Sequence, residues 1–133
     1  MKSKVPTNYF TDDNETGWDG RIYMRSVPGQ LDVMELTRPL PCGDGEIPVG
    51  YRSNGASSGI FRRLWFLNFP KWKHPIASFR HDFRCERATS SEDRKFADKR
   101  YRIDVGKGGT KWEQVKGYLG VRTGALFGIG SDY

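Results

Sequence analysis

Turn-forming residues break the first half of this chain into runs too short for helices, and that punctuation constrains the fold more than any other feature. Asp12-Asp13-Asn14-Glu15-Thr16-Gly17 and Trp18-Asp19-Gly20 read as loops. Residues 21–25 read as a short strand, and residues 31–36 alternate as a half-buried one. Between them Val27-Pro28-Gly29-Gln30 reads as a turn, with Pro early and Gly late. The two runs, joined by residues 26–30, predict a hairpin. Residues 39–45 read as loop. Residues 46–52 read as one short extended piece, placed at a sheet edge by Pro48. Ser53-Asn54-Gly55-Ala56-Ser57-Ser58-Gly59 is small, polar and Gly-rich, which suits a loop that brings backbone close to something.

The period changes after residue 60. Leu64, Trp65, Leu67 and Phe69 form an apolar cluster ahead of Pro70. Pro75 suits the first turn of a helix running to about Arg87, with Ile76, Phe79 and Phe83 on one face. Ser90 or Ser91 can cap a second helix, with Glu92 and Asp93 in its first turn where the dipole favours acid. Phe96, Ala97 and Tyr101 form its buried side, and Gly106-Lys107-Gly108-Gly109 ends it. Thr110-Lys111-Trp112-Glu113 is a capping box opening a third helix, predicted to bury Trp112, Val115, Leu119 and Leu126. Gly120, Gly124 and Gly128 lie four apart on that helix and suit a close helix approach. The expected fold is α+β: a small antiparallel sheet in the N-terminal half packed against two or three C-terminal helices. With 133 residues the chain makes one domain, residues 1–60 mainly strands and loops and 61–133 mainly helical.

Charge follows the same division. Residues 1–60 carry six basic and eight acidic side chains, and residues 61–133 carry sixteen and eight. A basic half suits an anionic surface, DNA or an acidic partner protein. Arg62, Arg63, Lys71 and Lys73 interleave with Trp65, Phe66, Phe69 and Trp72, yet no helix-turn-helix or RNP-like pattern accompanies them. Part of the excess has local work, since Arg80, Arg84, Arg94 and Arg102 flank candidate acids. No run approaches a membrane-spanning length, and Met1-Lys2-Ser3-Lys4-Val5-Pro6 lacks the apolar core of a signal peptide, so no membrane insertion is expected. Cys42 and Cys85 show no metal-ribbon or disulfide spacing, which leaves a reduced cytosolic state as the expectation.

The residues that can carry chemistry are His81 and Asp82 on the first helix and Asp98 on the second. One imidazole and two carboxylates suit a general base with its orienting acid, or a divalent metal, although no cofactor is evident. They equally suit a buried polar network, with His81 on a loop carbonyl, Asp82 on an Arg, and Asp98 on Arg94 or Arg102. A Ser57, His81, Asp82 or Asp98 triad lacks the nucleophile-elbow sequence around Ser57. Asn54 and Ser57 read as loop residues whose side chains bond nearby backbone.

Four segments in order resemble a bacteriophage and prophage family catalogued as domain of unknown function 1353. Ile47-Pro48-Val49-Gly50-Tyr51-Arg52-Ser53-Asn54-Gly55-Ala56-Ser57 is similar to its "VPxGFxTDxAS" segment. Residues 77–83 resemble its "AxxxHDxL" helix, Arg94-Lys95-Phe96-Ala97-Asp98 its "RxxAD" helix, and Gly120-Val121-Arg122 with Gly124 its "VRxxG". Asn54 stands where the family has Asp, and an Asn cannot serve as a base. Ser58 stands where the family has Pro.

The resemblance implies a phage origin and a virion location after synthesis in the host cytoplasm. The expected function is a small tail or tail-tip accessory subunit partnered by other virion proteins. Its polar network of Asn54, Ser57, Arg94, His81 and Asp98 fixes the loop onto the helices. The alternative is a small cell-envelope hydrolase, metal-dependent or not, that uses His81, Asp82 and Asp98.

Overall fold

The computed structural model describes residues 7–54 and 74–108, together with 111, 115, 118, 119 and 122. Strands β1 (Met24–Val27) and β2 (Gln30–Leu36) form the expected hairpin. Pro28 presets the first turn position and Gly29, at φ 77°, takes the left-handed second one. Across the pair Arg25 faces Glu35, and their side chains meet at 3.0 Å. The pairing starts at residue 24 rather than 21, and it slips between Ser26 and Val27, where the ladder closes onto the turn.

Two stretches differ from expectation. Residues 39–45, read as loop, contain strand β3 (Leu40–Cys42), which pairs with β4 (Gly45–Ile47) in a separate two-stranded sheet. Residues 46–52, read as one extended piece, are broken after β4 by a turn. There Tyr51 N–H donates to the Pro48 carbonyl, and Gly50 sits at φ 91°. The chain then enters β5 (Arg52–Ser53), which pairs antiparallel with β2, so the three-stranded sheet runs β1-β2-β5 with β5 at its edge. Pro48 thus ends a strand instead of lying within one, because it has no N–H to give a ladder.

The β3–β4 hairpin is held by a clasp from the N-terminal segment. Asp44 N–H donates to the Asn8 carbonyl, Asn14 N–H donates to the Gly43 carbonyl, and Gly43 N–H donates to Asp13 Oδ1. Gly43 adopts φ 57°, and a Cβ there would lie 2.5 Å from the Asn8 carbonyl oxygen. Only glycine lets the two backbones touch.

Helix α1 (Pro75–Arg87) opens on Pro75, whose missing N–H costs nothing in the first turn. Arg84 and Arg87 sit in its last turn, where the dipole favours cations. Helix α2 (Ser91–Gly108) is capped by Ser90, whose Oγ accepts the Asp93 N–H. Asp93 in turn accepts the Thr89 N–H, so the chain is fixed on both sides of the cap.

The core lies between these layers. Leu36, Leu40, Cys42 and Ile47 from both sheets meet Phe79 and Phe83 of α1, with Tyr9, Trp18 and Tyr51 packed around them. Tyr9 and Tyr51 stand edge-on to Phe83, with centroids 4.9 and 5.3 Å away. A second cluster of Ala77, Tyr101 and Val105 joins α1 to α2. The chain is therefore α+β, with small antiparallel sheets in its N-terminal half and two C-terminal helices packed against them. Among the described residues no helix is long and apolar enough to cross a membrane.

Leu119, expected to be buried, is 49% exposed. The aromatic and basic cluster of residues 62–73 lies outside the described residues, as do Ser57, Thr110, Trp112, Glu113, Leu126, Gly120, Gly124 and Gly128.

Gly29 and Gly43 separate conformational strain from close approach, since a Cβ at Gly29 meets nothing within 4 Å. Gly29→Ala is expected to cost about 1 kcal/mol from the left-handed backbone alone. Gly43→Ala is expected to cost roughly twice that or more, because backbone must move as well. Urea unfolding of both variants checks the ordering, and equal losses would contradict the clasp.

Candidate functional site

Helix α1 carries three kinds of side chain on three faces. Phe79 and Phe83 enter the core. Arg80 and Arg84, four residues apart, point toward the N-terminal segment. His81 and Cys85, also four apart, point toward α2. Asp82, one position on from His81, is turned about 100° away.

The arginine face makes a buried charge network. Arg80 is 1% exposed and Arg84 0%. Arg80 donates from Nε to the Pro41 carbonyl at 2.8 Å, and its terminal nitrogens reach Asp104 at 3.1 Å, Glu15 at 3.0 Å and Asp13 at 3.3 Å. Arg84 donates to the Tyr9 carbonyl at 2.7 Å, to the Thr11 carbonyl at 3.2 Å, and to Asp13 Oδ1. Arg100 of α2 completes the set by donating to Asp13 Oδ2 at 2.9 Å.

Burial pushes the Asp13 carboxyl up, but Arg84, the Gly43 N–H, Arg80 and Arg100 outweigh it and hold it below its ordinary 3.8. At Asp104 burial prevails, and the carboxyl lies above its ordinary value despite Arg80 and Lys107. Arg80 and Arg84 were expected to serve the acids next to them in sequence. They serve Asp13, Glu15 and Asp104 instead, because an i, i+4 pair on one helix face addresses whatever packs on that face.

The opposite face holds the sequence candidates. His81 Nε2 donates to Asp98 Oδ1 at 2.7 Å. Asp98 is fully buried, and its carboxylate also accepts Arg94 Nε at 3.2 Å and an Arg122 nitrogen at 2.7 Å. Cys85 Sγ lies 3.5 Å from His81 Nε2 and 3.9 Å from Nδ1. Burial works against a charge on His81, but the Cys85 sulfur and the hydrogen bond to Asp98 overcome it and raise its pKa to about 10.

Asp82 lies close enough to feel His81 and Arg94 but takes a different hydrogen-bond partner. Its carboxylate accepts the Ser53 hydroxyl of β5, and burial lifts its pKa to about 6 against the pull of Ser53 and His81. Of the expected partners for Asp98, Arg94 is present, while Arg102 is exposed and lies over the Tyr118 ring. Asn54 is exposed.

Cys85 is the member that sequence reasoning missed. Its signal was His-x-x-x-Cys on one helix, a spacing that places both side chains on one face. The donor atoms of His81, Cys85 and Asp98 all lie within 4.8 Å of one another. The arrangement is not a nucleophile–base–carboxylate relay, in which nucleophile and carboxylate occupy opposite ring nitrogens. Here Asp98 and the nearest approach of Cys85 fall on the same nitrogen, Nε2. A cavity of about 320 Å³ opens near the start of α1, lined by Glu15, Trp18, His74, Ile76, Asp104 and Lys107. His81, Asp82 and Asp98 are not among its lining residues. No family model matches this chain, and no curated protein or solved structure matches it.

The two acids of the arginine face respond differently to neutralisation. Asp13→Asn leaves Arg84 and Arg80 without their shared anion and is expected to cost about 3 kcal/mol at pH 7. Asp104→Asn is expected to cost much less, since burial already disfavours that charge. The folded Asp13 value is depressed, so its stabilisation is complete above the unfolded value of about 3.9 and drains away as pH falls through the folded value. Wild-type stability measured between pH 7 and 2 should therefore fall steeply below pH 4. Asp13→Asn should lack part of that slope, and Asp104→Asn should keep it.

Proposed function

We propose that this chain is a structural subunit of a bacteriophage particle, a small tail or tail-tip accessory component. The observation that carries the proposal is the state of Asp98. Its carboxylate is wholly buried and shared among His81, Arg94 and Arg122, so base and acid are spent on each other and on tying segments together. A buried carboxylate that accepts from His81 of α1, Arg94 of α2 and Arg122 ties those parts of the chain together.

Each of the four phage-like segments contributes to this one place. Ser53 comes from the first and His81 with Asp82 from the second. Arg94 with Asp98 comes from the third and Arg122 from the fourth. That convergence supports reading the segments as one structural unit. The excess of basic residues then faces acidic virion partners, DNA or the anionic cell surface.

The cell-envelope hydrolase draws support from Asp82, whose pKa near 6 suits proton transfer. The two readings separate cleanly. Mass spectrometry of gradient-purified particles should find the chain at stoichiometric levels, and Asp98→Asn should lower its stability by about 3 kcal/mol and its incorporation with it. Absence from particles, together with loss of envelope-degrading activity in a folded His81→Ala variant, would establish the hydrolase instead.

A further inference from the structure

We infer that His81, Cys85 and Asp98 supply three ligands of a zinc site that clasps α1 to α2, with water in the fourth position. The donor set is the first ground. One imidazole nitrogen, one sulfur and one carboxylate oxygen are the ligand types zinc accepts, and this mixture suits it better than the all-oxygen cations. Geometry is the second. With zinc–nitrogen near 2.0–2.1 Å and zinc–sulfur near 2.3 Å, the edge of a tetrahedron between those donors is about 3.5 Å. The His81 Nε2 to Cys85 Sγ separation is 3.5 Å.

The nitrogen–oxygen edge of the same tetrahedron is about 3.4 Å. His81 Nε2 and Asp98 Oδ1 stand at 2.7 Å, a hydrogen-bonded distance. Between them sits a proton where the metal would lie. The ion enters when this contact opens by less than 1 Å and the Cys85 sulfur and Asp98 oxygen, which lie within 4.8 Å, settle at about 3.6 Å; the His81–Asp98 proton and the Cys85 thiol proton both leave to solvent.

Convergence on a single ring nitrogen is the third ground. It defeats a catalytic relay but is what a metal ligand needs, since one nitrogen must face the ion along with the other donors. The outer partners are also in place. Arg122 holds Asp98 Oδ2 at 2.7 Å and Arg94 reaches Oδ1 at 3.2 Å, so the carboxylate stays oriented once His81 releases it. Once Cys85 has given up its proton on binding, its sulfur and the Asp98 carboxylate together neutralise the dication.

The inference deepens the structural reading, since the same residues form the tie. The two fail separately: particle composition says nothing about metal, and a metal titration says nothing about particles.

The test uses the untagged full-length chain, stripped with a chelator under reducing conditions and titrated with Co²⁺. One equivalent should give a sulfur-to-cobalt charge-transfer band and the intense visible bands of a tetrahedral site. Zn²⁺ should bleach both and raise the melting temperature. Cys85→Ser should lose the charge-transfer band and weaken cobalt binding by at least the roughly 10–100-fold typical of losing even an outer partner. Cys42→Ser, altered at the other buried thiol, should keep the band. Absence of the band in folded wild-type protein would overturn the inference even if every variant failed to fold. So would its survival in Cys85→Ser.

Discussion

Two guanidinium groups without access to water, on a single helix, set the terms for the rest of this molecule. Taking each charge out of solvent costs several kcal/mol, which a lone carboxylate does not offset. Arg80 and Arg84 recover the cost from many sides at once. They gather Asp13, Glu15 and Asp104 and the carbonyls of Tyr9, Thr11 and Pro41. The N-terminal segment is therefore wrapped onto α1 by polar contacts rather than by apolar burial. In turn it fixes the β3–β4 hairpin through Gly43 and Asp44.

Helix α1 is the spine that makes both ends of the chain depend on each other. Its aromatic face closes the core against two small sheets. Its arginine face collects residues 9–15. Its third face carries the His81–Asp98 tie to α2 and Arg122. A domain with only 36% hydrophobic residues has less apolar surface to bury than most, and these polar ties supply the specificity that a larger core would give. Local readings of charge mislead in such a molecule, because Asp13 and Glu15, which answer Arg84 and Arg80, lie 71 and 65 residues away in sequence, and Asp104 lies 24 away on the next helix.

The legible parts of the sequence were those whose cause is local. Pro75 and Ser90 mark helix starts by capping chemistry alone, and Pro28-Gly29 specifies its turn without help. Hence the two helices and the first hairpin could be read directly. The β3–β4 hairpin could not. Its strands are three residues long and one contains Pro41, so no alternating run announces it, and its register depends on the clasp around Gly43.

At the site, His81, Asp82 and Asp98 were readable as candidates, but their hydrogen-bond partners were not: His81 meets Asp98, and Asp82 meets Ser53. Cys85, four residues from His81, shares its face. Asp13 looked like one acid in a solvated loop, and only the packing of α1 beneath it makes it a buried anion.

The central claim is that buried ionic ties, with Asp13 and Arg84 at their heart, hold the N-terminal half onto α1. A double-mutant cycle between Asp13→Ala and Arg84→Met, read by equilibrium unfolding at pH 7, tests it most directly. The account predicts a coupling energy of about 2–3 kcal/mol, with the double variant far less damaged than the sum of the singles. Additive losses, with coupling within about 0.5 kcal/mol of zero, would contradict it.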